Sequence, residues 1–411
     1  MTMESTISKQ SLHMPNFDPT AAMFLENPYL FYEALRRVNP VQWVSSMSHQ
    51  GWFVTGYDEV ISILRDQRFQ TRVPISQSSP NEMLLKIFNN TLLYQNPPHH
   101  TRLRSLVGRV FTSRVINDFR PYIQETIDYL LDSVQDRGEM DIMSDLAFPL
   151  PSIIIARMLG VPTEDRDQFR DWSNTLIQTI DLARPDEAME LGNQAVMELV
   201  GYFKKLIAKR REKPTNDLIS KLVVEGESGD KLTDDELVAT CILMLIAGHE
   251  TTVNLISNTM LSLLNHPNEL EKLQQDSTLI KSTIEEVLRY DGPTQMTART
   301  AAEEVKIGGQ RIEKGQHVYL LLGAANRDPV KFPSPNTFDI TRSPNQHIAF
   351  GNGIHFCLGA ALARLEAQMA VGALVKRFST IQLKTAQPEW RPLIGFRALK
   401  ELKVAYNSYK D

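Results

Sequence analysis

The feature that most constrains this chain is one long apolar helix. It opens at Thr233-Asp-Asp-Glu236, where Thr233 can cap the first turn and Glu236 can reach back to its backbone. From there the pattern stays helical for some 30 residues. Its most apolar stretch, Leu237–Gly248, is about a dozen residues and ends at His249 and Glu250, whereas a bilayer-spanning helix needs about 20. The expectation is therefore a helix through the middle of a large core, not a membrane span.

A chain of 411 residues can surround such a helix, since at this size roughly three quarters of the unfolded surface is buried. The 44 Lys+Arg against 49 Asp+Glu leave a net charge of −5, which speaks against a nucleic-acid partner. Two cysteines exclude a disulfide scaffold and suit a reducing compartment. The N-terminus has no apolar signal region, so a cytoplasmic protein with no membrane partner is expected.

Residues 1–25 read as a flexible leader and the rest as one continuous body, mainly α with a small β part. Helices are expected at Pro28–Val38, Tyr57–Asp66, Leu279–Tyr290 and Ala360–Phe378, with strands at Val41–Ser45 and Trp52–Thr55. Residues 70–98 read as an irregular loop of the kind that often closes over a ligand. Glu225–Lys231 reads as an exposed turn and Asp328–Asn345 as a meandering loop.

Two local patterns carry chemistry. Within the apolar helix, Gly248 is unfavourable in mid-helix by about 1 kcal/mol relative to Ala, and a buried acid at Glu250 is costlier unless paired. Rule-breaking of this kind marks a site. The second pattern is Phe350-Gly-Asn-Gly-Ile-His-Phe-Cys-Leu-Gly359, at a loop-to-helix junction. Free backbone N–H groups and the positive helix end lower a thiol's pKa there and make Cys357 a candidate metal ligand. Glycines at 351, 353 and 359 let the backbone approach a flat partner. The alternative is a buried free cysteine, the reading given to Cys241. A structural zinc would want four Cys or His ligands, and no CxxC partner is present.

Phe350-Gly-x-Gly-x-His-x-Cys-x-Gly359 followed by Ala-Ala-Leu-Ala-Arg364 resembles the haem loop of the cytochrome P450 family. Further stretches, TCILMLIAGHETTVNLISN, LLLGAANRDP, FDITRSPN and LARLEAQ, agree in order and separation across nearly the whole chain. The resemblance implies the P450 fold, with one haem b per chain between the central helix and the cysteine loop, in a monooxygenase domain spanning 26–411. It implies Cys357 as the axial thiolate and metal ligand, a ligand that favours O–O cleavage. Phe350 and Gly359 would border the cofactor, and Ala247-Gly248 would open and kink the helix for dioxygen. Thr251 would hold the distal oxygen and Glu250 would relay protons. His249 is left as a surface or core histidine.

By the same resemblance His100, Arg104, Arg299 and His355 would hold the haem propionates. From the residues alone, His100 and Arg104 could equally be a solvated basic face. Glu286-Val-Leu-Arg289 is an i, i+3 pair that, bare, would be weak. The family pattern makes it a buried structural triad with Arg342. The substrate wall would include Leu243, Met244, Ala247, Thr294, Gln295, Met296, Ile394 and Phe396 with the loop at 70–93, and would suit a lipophilic fatty acyl, steroid, terpenoid or polyketide substrate for hydroxylation. Electrons would come from a separate ferredoxin or flavodoxin with an NAD(P)H-dependent reductase, docking near Arg102, Arg109 and Arg114 of a monomer. A peroxide-driven peroxygenase is the alternative enzyme, disfavoured by the Glu250-Thr251 pair. A haem sensor or carrier is the non-catalytic alternative.

Overall fold

The central helix, Asp234–Asn265, is 32 residues long. In this computed structural model, which describes residues 21–44, 50–72, 82–180, 186–225 and 230–408, it is the axis of the main core. The expected capping box forms: Glu236 N–H donates to Thr233 Oγ1 at 3.2 Å and Thr233 N–H to Glu236 Oε2 at 2.8 Å. Around it pack the helices Pro149–Leu159, Arg166–Ile180, Ile280–Asp291 and Ala360–Arg377. By length and composition the helix could cross a membrane, yet its most apolar window is 72% buried in protein. It is a core helix.

The β part is small. A five-stranded sheet runs in the order Val41–Val44, Gly51–Val54, His317–Leu320, Thr297–Ala301, Phe69–Gln70, with one parallel pairing between the second and third. A three-stranded sheet joins Glu139–Asp141, Lys403–Ser408 and Phe378–Leu383. The first sheet places Arg299 opposite Val318, which brings a cation to the flank of the main core.

Most expected elements are where the periodicity put them, including Pro28–Val38 and Tyr57–Arg65. The stretch 70–98 is the clearest correction. Glu82–Asn89 is a helix that buries Leu84, Ile87 and Phe88. A single two-turn apolar face next to Ser- and Pro-rich residues is easily taken for loop; packing against Asp186–Glu212, where Asn193 Oδ1 accepts Leu84 N–H, makes it helical. Residues 73–81 of that stretch, 226–229 of the expected turn, Ser45 and residues 1–20 of the expected leader lie outside the described residues. Residues 22–26, at the leader's end, form a short helix with Phe24 buried.

Candidate active site

Between Leu237 and Leu263 the central helix is buried on every side except at Leu243, Ala247, Gly248 and Thr251. Positions i, i+4 and i+8 lie on one face, so Leu243, Ala247 and Thr251 form an accessible stripe with Gly248 beside it. Ala247 is the most exposed of them. Thr251 Oγ1 donates to Ala247 O at 3.0 Å. At Gly248 a Cβ would lie 3.2 Å from Ile155 Cδ1, and the helix runs on without interruption. Its glycine lets the helix Pro149–Leu159 approach.

Successive helical residues point about 100° apart, and Glu250 accordingly turns off the stripe into the core, 1% exposed. It is paired there with Arg391, whose guanidinium donates to Oε1, and accepts Asn254 Nδ2–H at 3.3 Å. Sequence reading missed Arg391, because 141 residues separate it from Glu250. His249 is a core histidine. Its Nδ1 lies 3.2 Å from Ser173 Oγ, its Nε2 3.2 Å from Phe148 O, and its ring meets the Phe148 ring edge-on.

The cysteine loop is closed by Cys357 N–H donating to Phe350 O at 2.9 Å. Gly353 has φ +70°, and a Cβ on it would collide with Leu64 O at 2.4 Å. That glycine lets the loop pack on the helix Tyr57–Arg65. Burial pushes the Cys357 thiol up, and the Gly359 and Ala360 N–H groups with Arg104 and Arg364 offset this only in part. A coordinating metal cation deprotonates a thiol outright. Cys241 is fully buried, and burial pushes its thiol up as well.

The four expected propionate holders converge. His100 and His355 have ring centres 4.2 Å apart, and all four of their ring nitrogens are buried without a hydrogen-bond partner. Desolvation, then Arg299, His100 and Arg104, push His355 down to about 3. Desolvation alone takes Arg299 to about 10, and His100 and Arg104 are lowered chiefly by it too. Among the described residues no carboxylate acts on Arg104 or Arg299, and Arg299 donates only to Thr297 Oγ1 and Ala298 O. Buried cations and imidazoles that repel one another without a counter-ion call for an anion, and the two carboxylates of a haem fit. Phe350 and Gly359 belong to the same loop, and Gly359 lies within contact distance of Cys357 Sγ, where a Cβ would sit 4.0 Å away.

Glu286 and Arg289 are both 0% exposed and bonded at 2.7 and 2.8 Å, and Arg342 Nε reaches Glu286 Oε1 at 3.1 Å. Of the expected substrate wall, Leu243, Ala247, Thr294 and Phe396 keep exposure. Met244 belongs to the main core, and Met296 and Ile394 to a separate core cluster with Tyr29. Gln295 donates to Gly292 O at 2.7 Å and Tyr29 Oη at 3.2 Å, so it is tied into a core network. Arg102 is committed to Asp230 at 2.9 Å and Glu236 at 2.8 Å, whereas Arg109 and Arg114 are exposed.

Comparison with known proteins bears on the whole chain. Residues 22–395 match the cytochrome P450 family. The chain is 51% identical over 384 residues to the biotin biosynthesis cytochrome P450 of Bacillus subtilis, covering 93% of this chain and 97% of that protein. It is 40% identical to the polyketide biosynthesis cytochrome P450 PksS of the same species, over 95% and 98% of the two chains. The crystal structure of P450BioI in complex with acyl carrier protein ligated to hexadec-9Z-enoic acid superposes with a TM-score of 0.91 at 50% identity, covering 94% of this chain and 99% of that one. With the motifs, the fold and these matches in agreement, the chain belongs to the cytochrome P450 family, and its cofactor is haem b with the Cys357 thiolate as axial ligand.

Proposed function

We propose that this cytochrome P450 monooxygenase hydroxylates a fatty acyl chain presented on an acyl carrier protein, using electrons from a separate ferredoxin or flavodoxin, in the cytoplasm and as a monomer. The observation that carries the substrate is the likeness, over nearly the full length, to the P450 crystallised with an acylated carrier protein. When bound, the thiolate-ligated haem supplies oxygen activation and O–O cleavage.

The chain's own residues do the rest. His100, Arg104, Arg299 and His355 hold the propionates and orient the cofactor; Cys357, at the closed loop, sets the axial ligand. Leu243, Ala247 and Thr251 form the helix face of the substrate and oxygen site, with Thr294 and Phe396 on the opposing wall, and the apolar members exclude water. Thr251 Oγ1 donates to Ala247 O, which leaves its lone pairs to accept a hydrogen bond at the oxygen site. Glu250, paired with an Arg391 side chain that is 24% exposed, is the acid that relays protons from solvent toward that site. An acid and an alcohol turned apart on successive helical residues suit this division, one facing the cavity and one facing the supply.

Optical titration of the holoenzyme tests the substrate. Long-chain acyl groups on carrier protein should produce the low-to-high-spin shift at lower concentration than the free fatty acids. A shift with steroids or polyketides, and none with acyl carriers, would overturn the assignment.

A further inference from the structure

Glu285 stands beside Glu286 but serves a different part of the molecule. Arg364, on the helix Ala360–Arg377, donates to it through Nε to Oε1 at 2.6 Å and Nη2 to Oε2 at 2.8 Å. This is the bidentate geometry that fixes a guanidinium in place. The Arg364 guanidinium carbon lies 4.5 Å from the Phe350 ring centre, within cation–π range, and Phe350 O accepts the Cys357 N–H. Glu285 Oε2 also has His347 Nε2 at 2.9 Å. His347 Nδ1 accepts Ala349 N–H at 3.3 Å, so Nε2 carries the proton donated to Glu285. One carboxylate thus anchors the run-in to the cysteine loop at both His347 and Phe350.

We propose that Arg364 and Glu285 are a charge-compensated positioning pair that sets the reduction potential at Cys357, with Arg364 held over Phe350 as the positive member. The proposal rests on Cys357 being the axial ligand. A fixed positive charge near a thiolate-bound iron favours the state that has gained an electron, and a fixed negative charge opposes it. The two members therefore act with opposite sign, although damage to either would loosen the same loop.

The test is equilibrium reduction of the holoprotein against a redox dye. Arg364→Gln should shift the ferric/ferrous equilibrium toward ferric by about tenfold, about 59 mV for one electron, and Glu285→Gln toward ferrous by a smaller factor, since Glu285 meets the loop only through Arg364 and His347. Arg364→Lys, which keeps the charge, should stay near the parent. Shifts of the same direction in the two glutamine variants, or none, would overturn the proposal. If Arg364→Gln does not hold haem, Glu285→Gln with Arg364→Lys decides: an unchanged equilibrium in Glu285→Gln refutes it. Absence of the red-shifted CO band in the parent would instead overturn the axial-ligand reading beneath it.

Discussion

Replacing Glu286 with Ala probes the linkage between fold and cofactor loop most severely. Its carboxylate accepts from Arg289 Nε and Nη2, Arg342 Nε, Asn345 Nδ2 and the Asp339 N–H. Removal strands the Arg289 charge at 0% exposure, leaving it the Asn326, Pro335 and Thr337 carbonyls and the Tyr290 and Phe332 rings. Breaking one side of a buried pair costs ~3–5 kcal/mol. For 411 residues the unfolding entropy scales to about 0.9 kcal/mol/K, so a loss of ~4 kcal/mol becomes a fall in Tm of about 5 °C. The loss should also spread to the cofactor, because Asn326, which is next to this network, accepts Ile348 N–H at 2.8 Å and so holds the start of the cysteine loop. The measurements are thermal melting and the ratio of haem to protein absorbance after purification. A double replacement, Glu286→Leu with Arg289→Met, should recover part of the melting loss by removing the stranded charge. Glu286→Ala with unchanged melting and full haem would refute the reasoning.

Four further outcomes are expected. Cys357→Ala should lose the red-shifted Soret band of the ferrous CO complex together with product formation, as followed by difference spectroscopy. Thr251→Ala should bind substrate and accept electrons yet give peroxide at the expense of product, read as product formed per NAD(P)H consumed; tight coupling would exclude it as the residue that holds the distal oxygen. Arg391→Met should lower turnover by about 100-fold, the usual scale for a lost proton-transfer group, with the substrate spin shift retained and little further loss when Glu250→Gln is added. Glu285, despite desolvation, is held at about 2 by hydrogen bonds from His347 and Arg364. A depressed carboxylate stabilises the fold above its unfolded pKa and loses that contribution as pH falls from about 4.5 toward 2, so Glu285→Gln should show a shallower drop in Tm across that acid window than the parent.

What the sequence determined by itself is what neighbours along the chain decide. The capping box at Thr233, the length of the central helix, the thiol at a loop-to-helix junction and the i, i+3 pair Glu286–Arg289 are local patterns, and the periodicity of a helix carries them without reference to anything distant. Motif order then brought the family into view, and with it His100, Arg104, Arg299 and His355. Tertiary structure decided the rest. Whether Glu286–Arg289 is surface decoration or a fully buried pair depends on the meander that covers it. Glu82–Asn89 is a helix because the helix Asp186–Glu212 receives its apolar face. A Cβ at Gly248 or Gly353 would press on Ile155 or the Leu64 backbone, neighbours far off in the chain. Above all, the partners of the reactive acids lie far off in sequence: Arg391 is 141 residues from Glu250, and Arg364 is 79 from Glu285. A salt bridge across such separations leaves no periodic trace in the chain, because its two halves meet only after the core has folded between them.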